Sequence, residues 1–217
     1  MKVKNEKLSS CLCAKQQCWR GKDLKIPGYC QANNYLEEIE KTKKEYAKPE
    51  NNQIYDAACV VGAVKDGFRP RVEEALHFSK QLNLTQIGFA TCVAFKYEIE
   101  VLERLFTQEG FQVYCVSCQI GRVSAVDRDL PHLNEYVNAA CNPIAQARIL
   151  NSAGTELNFI VGLCLGHDIL FTQHSKAPVS TLIVKDRMTG NNPSAALYGW
   201  HARRKLFNIP RMDEKKV

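Results

Sequence analysis

Long apolar runs are missing from this chain: the longest, Phe159 to Leu165, falls far short of the ~20 residues that cross a bilayer. The opening MKVKNEKLSSCLC has the positive charges of an export signal but not the apolar stretch that must follow them. Leu8-Ser9-Ser10-Cys11 resembles a lipoprotein cleavage box, yet nothing hydrophobic precedes it. These absences predict a cytoplasmic protein with no membrane partner.

Several catalytic signatures are absent too. No G-x-G-x-x-G follows the first predicted strand, no G-x4-G-K-[ST] occurs, and no H-E-x-x-H helix exists, so dinucleotide binding, nucleotide hydrolysis and zincin proteolysis lose their usual support. The net charge of +6 gathers largely in the terminal segments and in Lys41, Lys43 and Lys44. Basic residues interleaved with aromatics along one surface, as nucleic-acid binding requires, are not apparent. No nucleic-acid partner is expected, and the charge runs read as solvated.

What the chain has in excess is cysteine, ten residues in 217. Without an export signal these are expected to be reduced thiols, because disulfides are uncommon in a reducing cytosol. Metal ligation, redox chemistry and simple burial are the candidate explanations, and position along the chain separates them.

Residues 1–50 form a cysteine-rich segment and connector, and residues 51–217 a larger domain. The first segment holds Cys11, Cys13, Cys18 and Cys30 among polar residues with little apolar periodicity. Too little apolar area is available there to offset chain entropy, so a crosslink or metal is needed to order it. Glu37 to Gln53 reads as a polar connector, helical at first and stopped near Pro49.

From Ile54 onward helix and strand patterns alternate. Ile54, Ala57, Ala58 and Val61 share a helical face; Val72, Ala75, Leu76 and Leu82 share another after Pro70. Strands are expected over Gln86–Cys92, Phe111–Ser117, Leu157–Leu163 and Thr181–Lys185. Between them fall a helix over Phe95–Glu109, one that opens at Asn142-Pro143 with Ile144, Ala147 and Leu150 buried, one from His167, and a last from Pro193 capped by Asn192. Strands separated by helices imply a three-layer α/β domain with a mostly parallel sheet. No internal repeat is visible.

In open parallel sheets ligands bind beyond the carboxyl ends of the strands. Cys92 closes the first strand, Cys118 follows the second, Cys164 follows the third, Cys141 precedes a capped helix, and His167 lies just past Cys164. Five soft or borderline metal ligands are thus expected at one edge, where helix N-termini favour thiolates. A single cysteine is more often inert filler; four recurring at the same edge point to ligation. Cys11, Cys13, Cys18 and Cys30 form a second candidate set, although the paired knuckles of structural zinc are missing and Cys11 and Cys13 stand close together. Zinc and an iron-sulfur cluster both accept four thiolates, and spacing does not choose between them.

Other readings compete. Cys115-Val116-Ser117-Cys118 has dithiol spacing, but Gln119-Ile120-Gly121 does not open a helix, and strand alternation points Cys115 away from Cys118. Gly162-Leu-Cys164-Leu-Gly166 has the spacing of a nucleophile elbow with cysteine as nucleophile. A metal-free thiol enzyme is therefore the alternative, and a pure interaction module a third class. Lys185 and Arg187, beside Gly190-Asn191-Asn192-Pro193, suit a small anionic ligand, with an internal salt bridge and an ordinary cap slightly ahead of it. Asp168 suits a cap or a partner that orients His167. His77, His174 and His201 sit singly and read as surface or packing residues.

Arg71-Val-Glu-Glu74, Gly88-Phe-Ala-Thr-Cys92, Cys118-Gln-Ile-Gly121, Cys141-Asn-Pro-Ile-Ala-Gln146, Gly162-Leu-Cys-Leu-Gly-His-Asp168, Lys185-Asp-Arg187 and Asn192-Pro-Ser-Ala-Ala-Leu197 together resemble a prokaryotic domain-of-unknown-function family of cysteine-rich, metal-binding proteins. The resemblance implies metal binding and no particular reaction.

Overall fold

A computed structural model describes residues 30–62, 69–123 and 139–209; Cys11, Cys13 and Cys18, and the stretch around Pro131, lie outside the described residues. The chain divides into two compact units, 1–60 and 61–217.

In the first unit a 3-10 turn, Gln31–Asn34, leads into α1, Leu36–Tyr46, which buries no residue. Its order comes from charge pairing along its own surface: Lys41 lies 3.1 Å from Glu37 and 2.8 Å from Glu38, and Lys43 lies 2.7 Å from Glu40. Such pairs contribute only about 0.3–0.5 kcal/mol each. Pro49 does not simply end this helical region. It opens α2, Pro49–Gly62, because proline's missing N–H has no helical partner at a first position anyway. Tyr46 and Tyr55 meet edge to face across the break, ring centroids 5.1 Å apart. On α2 the buried positions are Ala57 and Val61, while Ile54 and Ala58 are exposed.

The second unit is a three-layer α/β domain. After α3 (Arg71–Gln81) come β1 (Gln86–Thr91), α4 (Lys96–Gln108), β2 (Gln112–Ser117), α5 (Pro143–Ala153), β3 (Leu157–Val161), α6 (His167–His174), β4 (Val179–Ile183) and α7 (Ser194–Tyr198). The strands form one all-parallel sheet in the order β2-β1-β3-β4. Right-handed crossovers in that order send α4 to one face and α5 and α6 to the other. Side-chain alternation agrees: Phe89 of β1 and Phe159 of β3 stack at 5.7 Å and meet Phe106 of α4 at 5.3 and 5.9 Å. On the opposite face a Cβ at Gly88 would meet Asn158 of β3 and Leu150 of α5. Each buried aromatic contributes about 1.5–3 kcal/mol, so this cluster anchors α4. The central strands β1 and β3 are buried almost throughout and the outer β2 and β4 only in part, as expected for continuous apolar runs in the middle of a covered parallel sheet.

Two expectations need correction. The buried face of α5 is Pro143, Gln146, Ala147 and Leu150, with Ile144 only half-buried; an amide stands where an apolar residue was expected, because strand carbonyls satisfy it. The helix expected from Pro193 starts at Ser194, with Pro193 rather than Asn192 at the cap position, and spans five exposed or half-exposed residues; a π-helical segment, Ala202–Leu206, follows it. Among the described residues no helix is long and apolar enough to cross a membrane.

Candidate functional site

The register places the strand ends side by side. Thr91 pairs with Ser117 on one flank and Val161 on the other, and Val161 pairs with Ile183. Whatever follows these residues emerges at one edge.

Beyond β1, the Cys92 N–H still donates to Val161 O at 3.1 Å, and the chain then turns through Val93–Phe95 into α4. That turn is pinned by Phe95, 3% exposed, whose ring lies where any side chain at residue 162 would go. A Cβ at Gly162 would come within 2.1 Å of it, and Gly162 has φ +67°. Glycine there serves both the left-handed backbone and the close approach. Beyond β2, Cys118 opens a turn and its carbonyl accepts from Asn142 N at 2.6 Å, which fixes Cys141 beside it. The Asn142 side chain accepts from Ala145 N at 3.1 Å and Pro143 follows, the expected cap. Beyond β3, Cys164 O accepts from His167 N at 2.9 Å and Asp168 N at 3.2 Å as α6 begins. Beyond β4 comes Lys185.

The result is a cluster of four thiols and one ammonium. Lys185 Nζ donates to Cys92 Sγ at 2.7 Å and to Cys164 Sγ at 3.4 Å. Cys118 faces both Cys92 and Cys141 side chain to side chain, and Cys141 feels the charge of Cys164. Cys92 and Cys118 are buried, Cys141 and Cys164 half-buried.

The electrostatics is uneven around the cluster. At Cys92 burial pulls the thiol upward, but the Lys185 hydrogen bond, the Ala94 backbone N–H and the lysine's charge outweigh it and hold the thiol below its usual range. Cys118 is pushed up to about 12, by burial first, with the Val93 N–H opposing and Cys141 and Cys92 adding to it. Burial also raises Cys141. Lys185 loses hydration, yet its contacts with Cys92 and Cys164 raise it overall. The ammonium thus favours ionisation at Cys92, while burial opposes it at Cys118 and Cys141.

Among the described residues, no three His, Cys, Asp or Glu side chains stand ready to hold one metal ion. The ammonium of Lys185 sits among the sulfurs instead. His167 keeps a buried Nδ1 with no hydrogen-bond partner. Asp168 does not orient that nitrogen; its carboxylate accepts from Gly166 N and Ile169 N, both at 2.8 Å, and so acts as a cap. Arg187 is exposed on the 187–190 turn while Lys185 faces the thiols. Cys115, in β2, is exposed as a residue, although its thiol is pushed up to about 12 by loss of hydration and then by Glu103; it is not among the groups acting on Cys118. Cys30 is half-buried in the first unit.

The sequence reading missed two features. Lys185 contacts sulfur, which the sequence signalled only as a basic residue past a strand. Gln146, fully buried, donates from Nε2 to Thr91 O at 3.1 Å and Val116 O at 2.6 Å; its signal was a polar residue at the i+3 position from Pro143 on the buried face.

Residues 30–182 match the family described as "Protein of unknown function (DUF1847)", a span that contains all four clustered cysteines. An uncharacterized protein of the archaeon Methanocaldococcus jannaschii is 37% identical over 199 residues, which is 90% of this chain and 96% of that protein. No solved structure matches the chain.

Proposed function

The chain belongs to the DUF1847 family of proteins of unknown function, and we propose that within it this chain is a metal-binding protein whose donors are Cys92, Cys118, Cys141 and Cys164. The observation that carries the reading is the convergence of four sulfurs, from four separate stretches of chain, at the sheet's carboxyl edge, two of them on the Lys185 ammonium. Buried thiols resist ionisation, and a bound cation reverses that balance by holding them as thiolates. The donor set is soft and four in number, which suits zinc or an iron-sulfur cluster. Closure around an ion falls to the half-exposed Cys141 and Cys164. The unpartnered Nδ1 of His167 is a spare donor three residues beyond Cys164. Cys11, Cys13, Cys18 and Cys30 form a second proposed donor set, counted by metal stoichiometry. A small anion near Lys185 and Arg187 would make the edge a reaction pocket.

A second reading is favoured by one observation, the depressed thiol of Cys92 against Lys185. In it the protein is a metal-free thiol enzyme whose nucleophile is Cys92 rather than Cys164 or Cys115. Metal analysis with an absorption spectrum on anaerobically purified protein separates the two. Stoichiometric iron with visible charge-transfer bands gives a cluster, and colourless stoichiometric zinc a zinc centre. Neither metal, with one thiol ionised far below the rest, overturns the first reading for the second.

A further inference from the structure

We propose that Gln146 is a positioning residue that sets the separation of the Cys92 and Cys118 sulfurs; the proposal deepens the thiolate-site reading and rests on it. Gln146 lies on α5 with none of its surface exposed, on a face otherwise made of Pro143, Ala147 and Leu150. Burying an amide there is unfavourable unless it is hydrogen-bonded. Its Nε2 has two hydrogens and two acceptors: Thr91 O, immediately before Cys92, and Val116 O, two residues before Cys118.

These carbonyls stand where β1 and β2 part company. β1 continues its ladder toward β3 through the Cys92 N–H. β2 turns away, Ser117 O taking the Ile120 N–H. One nitrogen therefore spans the point of divergence and fixes how far the two strand ends separate. Because α5 also carries the Asn142 cap beside Cys141, a single helix ties three of the four thiols to one another. Gln146 Oε1 is buried without a partner, a desolvation penalty that a purely apolar helix face would avoid. Placement of the strand ends is the compensating gain.

The test compares Gln146→Met, which keeps the length and removes the donor, with Gln146→Glu, which keeps the shape and turns the donor into an acceptor facing two carbonyls. Glu156→Gln, at the opposite edge of the sheet, serves as the control for general destabilisation. Cobalt(II) is titrated into the metal-free full chain and the thiolate-to-metal absorption is followed. Outer groups that orient ligands are worth roughly 10–100-fold in metal affinity, so both Gln146 variants are expected to bind at least tenfold more weakly than a Glu156→Gln protein of matched urea midpoint. Equal affinity overturns the proposal. Should the wild-type chain take up no cobalt, the metal reading fails by itself, and positioning is read instead from Cys92–Cys118 disulfide formation by glutathione disulfide. There two thiols give up two electrons and two protons, and one oxidised glutathione becomes two reduced ones. A tenfold slower reaction in Gln146→Met supports the proposal; an unchanged rate overturns it. If Gln146→Glu does not fold, Gln146→Met decides.

Discussion

Lys185 Nζ stands 2.7 Å from Cys92 Sγ, across from the end of a strand two places away in the sheet. The contact joins the first strand of the domain to the last and brings a positive charge against two of the thiols. Cys92 is therefore easier to ionise than Cys118 or Cys141, which burial pushes up. Replacing Lys185 with Met is expected to move the ionisation of Cys92 to higher pH, because the lysine's hydrogen bond and charge both favour the thiolate. The ultraviolet absorption of the thiolate, followed against pH and corrected with a Cys92→Ser protein, checks the direction. A profile that does not move would show that the ammonium leaves Cys92 alone.

Gly162 is the second feature that shapes the site. Its φ of +67° and the Phe95 ring 2.1 Å from where a Cβ would stand both forbid a side chain. Gly162→Ala is expected to destabilise the fold by about 2–4 kcal/mol, from left-handed backbone strain and forced repacking together. The urea midpoint measures it. Phe95→Leu in the same chain should recover part of the loss by giving the ring's space to the new methyl; additive losses would show that the ring and the glycine are not in contact.

Much of this arrangement was legible in the sequence. Gln86–Cys92 read as a short strand and Leu157–Leu163 as a near-continuous apolar one, each within two residues of the observed end, and Ile99, Leu102 and Phe106 mark the inner face of α4 because helical spacing repeats them. The parallel topology then put Cys92, Cys118, Cys141 and Cys164 at one edge by rule. What the sequence left hidden depends on three-dimensional direction. Lys185 was visible as a basic residue past a strand, but sheet twist decides whether it faces an anion or a sulfur. Gln146 was passed over because helical periodicity assigns a polar residue to solvent, and only the two carbonyls at the strand ends reverse that assignment. Pro49 was read as a stop because proline both ends and begins helices, and the residues near it do not distinguish the two.

Glu156 closes the opposite edge of the sheet. Its Oε2 accepts from Thr85 N at 2.6 Å, Thr85 Oγ1 at 2.9 Å and Gln86 N at 2.8 Å, and these bonds, the Thr85 N–H foremost, hold the carboxyl below its usual range. The sign follows from the depressed value. Stabilisation is fully present above the unfolded-state pKa of about 4.3 and is lost as pH falls through the lower folded-state pKa. Glu156→Gln is expected to cost about 1 kcal/mol at neutral pH, the charge-assisted bonds being discounted for their exposure. It should cost progressively less in acid. Urea midpoints of both proteins from neutral pH down to the acid limb test this, and a gap that is constant with pH would mean that the carboxylate's charge contributes nothing.

The metal reading makes its sharpest demand on stability. A ligand that binds only the folded chain stabilises it by about 2.7 kcal/mol when its free concentration is one hundred times its dissociation constant. Zinc added to the metal-free chain is therefore expected to raise the urea midpoint by an amount that grows with the logarithm of zinc concentration. Cys141→Ser isolates the source of that gain. Cys141 is half-buried, so the metal-free variant should lie within about 1 kcal/mol of the wild type, while its zinc-dependent increment should shrink to a small fraction because a sulfur donor is gone. Cys115→Ser, outside the cluster, should keep the full increment. If Cys141→Ser responds to zinc as the wild type does, the ion binds elsewhere, and the four sulfurs at the sheet edge are not its ligands.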